Sequence, residues 1–137
     1  MDTKIILKEG FGDVRFGMPV EQVVALIGSA DTVESSLNAM DEPLTILMYG
    51  ELGCTLFFEG ENPTLRCIDI CNDEATLFGE PIFNQTEEEI LYLMNQHGYA
   101  DPEVDDEDWG ERSISYATAN ADFYFEDSEL LSIQIGQ

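Results

Sequence analysis

The stretch Phe11 to Gly28, FGDVRFGMPVEQVVALIG, has an echo at Phe78 to Asn95, FGEPIFNQTEEEILYLMN. Phe11 matches Phe78, Gly12 matches Gly79, Phe16 matches Phe83, Glu21 matches Glu88 and Leu26 matches Leu93, all at one offset. The register continues with Tyr49 against Tyr116, Phe58 against Phe125 and Glu59 against Glu126. After a shorter turn in the second copy, Leu65, Ile68 and Ile70 fall against Leu130, Ile133 and Ile135. Apolar matches that keep a common register predict an internal duplication. The expected organisation is a first α+β repeat with an N-terminal strand at 1–71, a linker at 72–77 and a second α+β repeat at 78–137, the two forming one compact unit.

Each copy opens with a helical stripe. Val20, Val23, Val24 and Ile27 keep the i, i+3, i+4, i+7 spacing of an amphipathic helix over Pro19 to Ile27, and Gly28 is placed to stop it. In the second copy Thr86 and Glu89 form the pattern of a capping box, with Glu87 and Glu88 complementing the helix dipole and Ile90, Leu91 and Met94 forming the buried face. Beyond each helix the apolar period changes to two. Strands are expected at Thr32 to Ser35, Thr45 to Tyr49, Cys54 to Glu59 and Leu65 to Cys71, then at Arg112 to Tyr116, Ala121 to Glu126 and Leu130 to Ile135. A short strand near Tyr99 and an edge strand at Lys4 to Leu7 complete the set.

The predicted fold class is therefore α+β, two tandem helix-plus-antiparallel-strand repeats with both helices on one face of the sheet and the other face open or in an interface. Alternation assigns Leu47, Tyr49, Cys54, Leu56, Phe58, Ile68, Ile70, Ile114, Tyr116, Ala121, Phe123, Phe125, Ile133 and Ile135 to the covered face. The opposite face mixes apolar and acidic residues where a free sheet face is normally polar. Its candidate partner-binding residues are Met48, Phe57, Asp69, Asp122, Tyr124 and Glu126, joined by Trp109 from the acid-rich segment that precedes the last strands.

At FGMPVEQVVALIG the Gly-Met pair, the acidic residue, the Val pair and the closing Leu-x-Gly resemble the helix signature of the SmpA/OmlA family of small outer-membrane lipoproteins. The tandem form is similar to the beta-lactamase inhibitory proteins. That resemblance implies helix-plus-strand units building one sheet that grips a partner protein. It carries over no contact residue, because the binding positions of those inhibitors have no motif to match here.

Composition narrows the function. The chain has 137 residues, 44% of them apolar, enough for a sizeable core. Five Lys and Arg against 29 Asp and Glu leave a formal charge of -24, which argues against nucleic-acid and anionic-membrane binding, since phosphate contacts need a basic surface. A partner is expected to be basic. The start, MDTKIILKEG, has too short an apolar run for a signal-peptide core or a span, so the protein reads as cytoplasmic. Cys54, Cys67 and Cys71 match no zinc spacing and read as free thiols.

The sequence shows no activated group. The lone His97 belongs to a helix end, no nucleophile has a base in a recognisable pattern, and carboxylate pairs are uninformative among so many acids. The segment DPEVDDEDWGER, Asp101 to Arg112, fails the calcium-loop pattern, because Trp109 and Tyr116 fall where oxygen ligands are needed, and reads as a solvated loop. The expected function is a non-catalytic protein-binding module without cofactor or metal, an inhibitor or immunity-type protein for a basic partner. The alternatives are a small-molecule or cation-binding protein using the open face or the acidic loop, a homodimer through that face and, with least behind it, a hydrolase.

Overall fold

The computed structural model of the chain describes residues 3–106 and 111–137. Among these residues the chain is mostly β, with 47% in strands, 13 strands in two sheets and only two short helices. This corrects the α+β class, the tandem helix-plus-strand repeats and the internal duplication expected from the sequence. The helical stripes build only α1, Val20–Ile27, and α2, Glu87–Gln96. The residues leading into them are strands instead.

A five-stranded sheet has the order β3-β2-β1-β8-β9, formed by β1 (Lys4–Ile6), β2 (Gly10–Phe11), β3 (Val14–Arg15), β8 (Thr76–Leu77) and β9 (Glu80–Pro81). It draws on both parts of the chain: β1 runs parallel to β8, with Lys4 opposite Thr76 and Ile5 opposite Leu77. The expected edge strand at the N-terminus is thus interior, and Thr76–Leu77, inside the segment read as a linker, is a pairing strand.

The second sheet has eight strands: β4 (Thr32–Leu37), β5 (Pro43–Tyr49), β6 (Cys54–Glu59), β7 (Thr64–Ile70), β10 (Glu103–Asp106), β11 (Glu111–Tyr116), β12 (Ala121–Glu126) and β13 (Glu129–Gly136). Their order, β10-β11-β12-β13-β7-β6-β5-β4, is two antiparallel meanders joined where β13 meets β7. The register Ile133 to Ile70, Gln134 to Asp69 and Ile135 to Ile68 makes the alternation continuous across the seam. The acid-rich segment read as a loop contributes β10, whose Asp106 accepts two hydrogen bonds from Arg112 Nη1 at 3.0 and 2.8 Å.

One face of this sheet carries the core. Every residue assigned to the covered face by alternation is buried, together with Leu65 and Leu130. Val23 of α1, Ile90, Leu93 and Met94 of α2, and Ile5, Phe11, Val14, Leu77 and Ile82 of the small sheet region close over it in one cluster. Both helices therefore lie on that side, where Tyr49 donates through its hydroxyl to the Gly28 carbonyl at 2.8 Å and Arg112 Nε reaches Glu87 at 2.8 Å.

The two helices start differently. Pro19 caps α1 without a side-chain hydrogen bond. Thr86 caps α2 in a full box: the Glu89 N–H donates to Thr86 Oγ1 at 3.2 Å and the Thr86 N–H donates to Glu89 Oε1 at 2.9 Å. Orphan amides of the first turn are satisfied only at α2 by this device. Thr86→Ala is expected to cost about 1 kcal/mol, read as a fall of roughly 3 °C in the thermal midpoint, and Thr86→Ser to restore most of it.

Candidate functional site

Register places the candidate residues on the uncovered face. A single row crosses the whole sheet, Thr32, Met48, Thr55, Asp69, Gln134, Asp122, Ser115 and Glu103. Met48, Asp69 and Asp122 are thus brought into one line, each half-buried. Phe57 is half-buried in the neighbouring row, between Ile46 and Cys67. Tyr124 lies in the row on the other side, opposite Ser132 and Ser113. Glu126 is carried away from this group to the end of β12, where it faces Glu111 and Glu129. Trp109 lies outside the described residues.

A hydrogen-bond chain runs diagonally over the rows. The Tyr124 hydroxyl donates to Gln134 Oε1 at 3.2 Å, and Gln134 Nε2 donates to Cys67 Sγ at 3.1 Å. Alternation along each strand puts Gln134 and Cys67 on the open face, yet their meeting depends on β13 lying beside β7, a pairing between strands about 65 residues apart that no local pattern encodes. Gln134 is the residue between Asp69 and Asp122 in the row, with Cα atoms of the two acids about 10 Å apart at two strand spacings.

Electrostatics single out Asp69. Among the described residues its Oδ1 is buried without a hydrogen-bond partner, and burial holds its carboxyl above the ordinary value. The same crowding reaches its neighbours. The Tyr124 hydroxyl is held up by burial and then by the charges of Asp122 and Asp69, and the Cys67 thiol by burial first, with Asp69, Asp122 and Glu59 adding to it against the Gln134 hydrogen bond. Two shallow depressions flank this centre, one lined by Met48, Thr55, Asp69 and Cys71, the other by Asp105, Ser113, Tyr124 and Leu131.

Among the described residues no group of three or more His, Cys, Asp and Glu side chains is arranged to hold a metal. His97 caps α2 and stacks on Phe78 with ring centroids 3.8 Å apart. Among the described residues no helix is long and apolar enough to cross a membrane.

Comparison with known proteins adds little. No family model matches the chain, and no curated protein matches it. Among solved structures, an extracellular protein containing a SCP domain from Bacillus anthracis str. Ames is similar at 14% identity, with a TM-score of 0.49. The match covers 86% of this chain and 42% of that one, so this chain spans less than half of its length. Neither the SmpA/OmlA resemblance nor that to the inhibitory proteins is touched by these matches.

Two outcomes follow from the site. Because the folded-state carboxyl of Asp69 titrates higher than in the unfolded chain, the folded state binds the proton more tightly, and stability falls as pH rises through the raised value. Below about pH 4 both states are protonated and the penalty vanishes. Asp69→Asn should therefore stabilise the protein at pH 7 by about 1 kcal/mol, with the advantage fading as unfolding is measured toward pH 4; a constant difference at all pH values would contradict the assignment. The thiols should also separate. Burial pushes Cys54 up to about 12 and holds Cys67 up, whereas Cys71 is exposed. Iodoacetamide at pH 8 should modify Cys71 in the native protein and reach the other two only on unfolding, as mass spectrometry of peptides would read.

Proposed function

We propose that the uncovered face of the eight-stranded sheet is a non-catalytic docking surface for a basic protein, of the kind an inhibitor or immunity-type protein presents. The observation that carries this reading is the Asp69 carboxylate at the centre of the face, whose Oδ1 lacks a partner among the described residues. A buried charge is normally paired, and a missing partner of opposite sign is the simplest completion. A lysine or arginine seated over Gln134 would stand about 5 Å from both Asp69 and Asp122, where each pair of unit charges contributes roughly 1 to 3 kcal/mol as screening by water falls.

Size and composition support the same reading. Eight strands at about 4.8 Å spacing, each about six residues long, give a face near 34 by 20 Å, or about 700 Å², close to the roughly 800 Å² each partner contributes to a standard interface. Met48, Phe57 and Tyr124 supply the apolar and aromatic contacts that such interfaces use as anchors. A net charge of -24 would steer a basic partner and speed its encounter.

A matched pair of charge reversals tests the proposal. Asp122→Lys acts on the face, while Asp13→Lys changes net charge equally at an exposed position between β2 and β3. With the chain immobilised in lysate of its native host, a basic protein retained by the unaltered chain should be lost at least about tenfold with Asp122→Lys and with Tyr124→Ala, and kept with Asp13→Lys. Equal loss with both reversals would reduce the interaction to net charge and sink the docking site.

A further inference from the structure

The two outer strands of the large sheet are protected unequally. The edge at β10 reads Glu-Val-Asp-Asp, three carboxylates in four residues, the kind of charge that keeps foreign strands off an open edge. The edge at β4 reads Thr-Val-Glu-Ser-Ser-Leu, with all six residues exposed and one charge. Val33 and Leu37 are 61% and 60% exposed, and Met40 beyond them is 80% exposed. Among the described residues no strand pairs with the outer side of this edge.

We propose that β4 is a strand-addition site that accepts an extended segment alternating basic and apolar residues. Backbone geometry defines the docking line. The Asn38 N–H donates to the Glu42 carbonyl at 2.9 Å, which marks that pair as hydrogen-bonded. Pairs alternate along an antiparallel ladder, so Ser36, Glu34 and Thr32 bond inward to Leu44, Ile46 and Met48, while Val33, Ser35 and Leu37 turn their N–H and C=O groups outward. Those outward groups are the ones an added strand would take.

Side chains then set the occupant. Val33 and Leu37 project on the covered side of the sheet, in register with Leu47 and Pro43, and Glu34 projects on the open side beside Ile46. An incoming strand meets apolar contacts on one of its faces and a carboxylate on the other, so its own residues should alternate apolar and basic. A second copy of this chain fits worse, since pairing edge to edge would bring together two molecules of charge -24. The hairpin is also held ready: Asn38 Oδ1 accepts from the Met40 and Glu42 N–H groups at 2.9 Å, and its Nδ2 donates to Glu59 Oε1 at 3.2 Å. A strand already ordered loses less entropy on binding.

This site uses the acidic balance that the proposed function uses, but none of the docking residues Met48, Phe57, Asp69, Asp122, Tyr124 and Glu126. Asp122→Lys should therefore leave it intact, and the two readings can fail separately. The probe is a synthetic peptide alternating lysine and valine, matched to the six residues of β4, added to the full chain and followed by amide hydrogen exchange. Exchange at Val33, Ser35 and Leu37 should slow by about tenfold or more in the complex, with β10 unchanged. The same peptide carrying N-methyl groups on the amides that would face β4 keeps its charge and side chains and should give no protection. Ser35→Pro, which removes an outward donor but no ladder bond, should weaken binding by about tenfold. Equal protection by both peptides, protection at β10 instead, or no protection with millimolar peptide would overturn the proposal. So would protection of β4 that grows with protein concentration in the absence of peptide, which would assign the edge to pairing between copies.

Discussion

The antiparallel seam between β7 and β13 is the interaction on which the rest depends. Either meander alone would have an open strand edge and half a hydrophobic face. Joined, they align Ile68 and Ile70 with Ile135 and Ile133, so the buried rows run unbroken from β5 to β11 and give α1, α2 and the small sheet one surface to cover. At the same step the seam sets Asp69 beside Gln134. The features of the open face that distinguish it from an ordinary solvated sheet are by-products of the contact that completes the core.

The two faces differ in how their energetics are arranged. On the covered side burial is almost wholly apolar, and among the described residues no polar or charged residue is fully buried. On the open side half-buried polar groups are tied in series, Tyr124 to Gln134 to Cys67, with Asp69 left over. A sheet optimised only for stability would place a neutral or paired group at that central position. Retaining a carboxylate there costs stability at neutral pH, and trade-offs of that sort cluster at surfaces that do something.

Much of the local structure was legible because it follows from short-range rules. Period-two alternation sorted the long strands into covered and open sides correctly, and Thr86 with Glu89 announced the start of α2. What escaped has equally physical reasons. Strands of two residues, such as Val14–Arg15 and Glu80–Pro81, are too short to show a period. The acids of Glu103–Asp106 have low strand propensity, and the segment pairs because β11 offers it a partner and Arg112 a counter-charge. The two amphipathic stripes are real helices, but giving them one repeat each overstated their share of the chain and led to the wrong class. Of the candidate site, Met48, Asp69 and Asp122 were placed on a common face, whereas the roles of Gln134 and Cys67 required knowing which strands are neighbours.

The parallel pairing of β1 with β8 has a consequence for how the chain is made. Lys4 and Ile5 are synthesised 72 residues before their partners Thr76 and Leu77, a delay of roughly 4 to 14 s at ordinary rates of synthesis. Through that interval the apolar side chains of Ile5, Phe11 and Val14 lack the cover they have in the finished protein. Nascent chains in that state are prone to associate, and mutual repulsion among acidic segments is a defence that acts before any fold exists. The heavy acidic charge can thus serve the chain during its synthesis as well as after it.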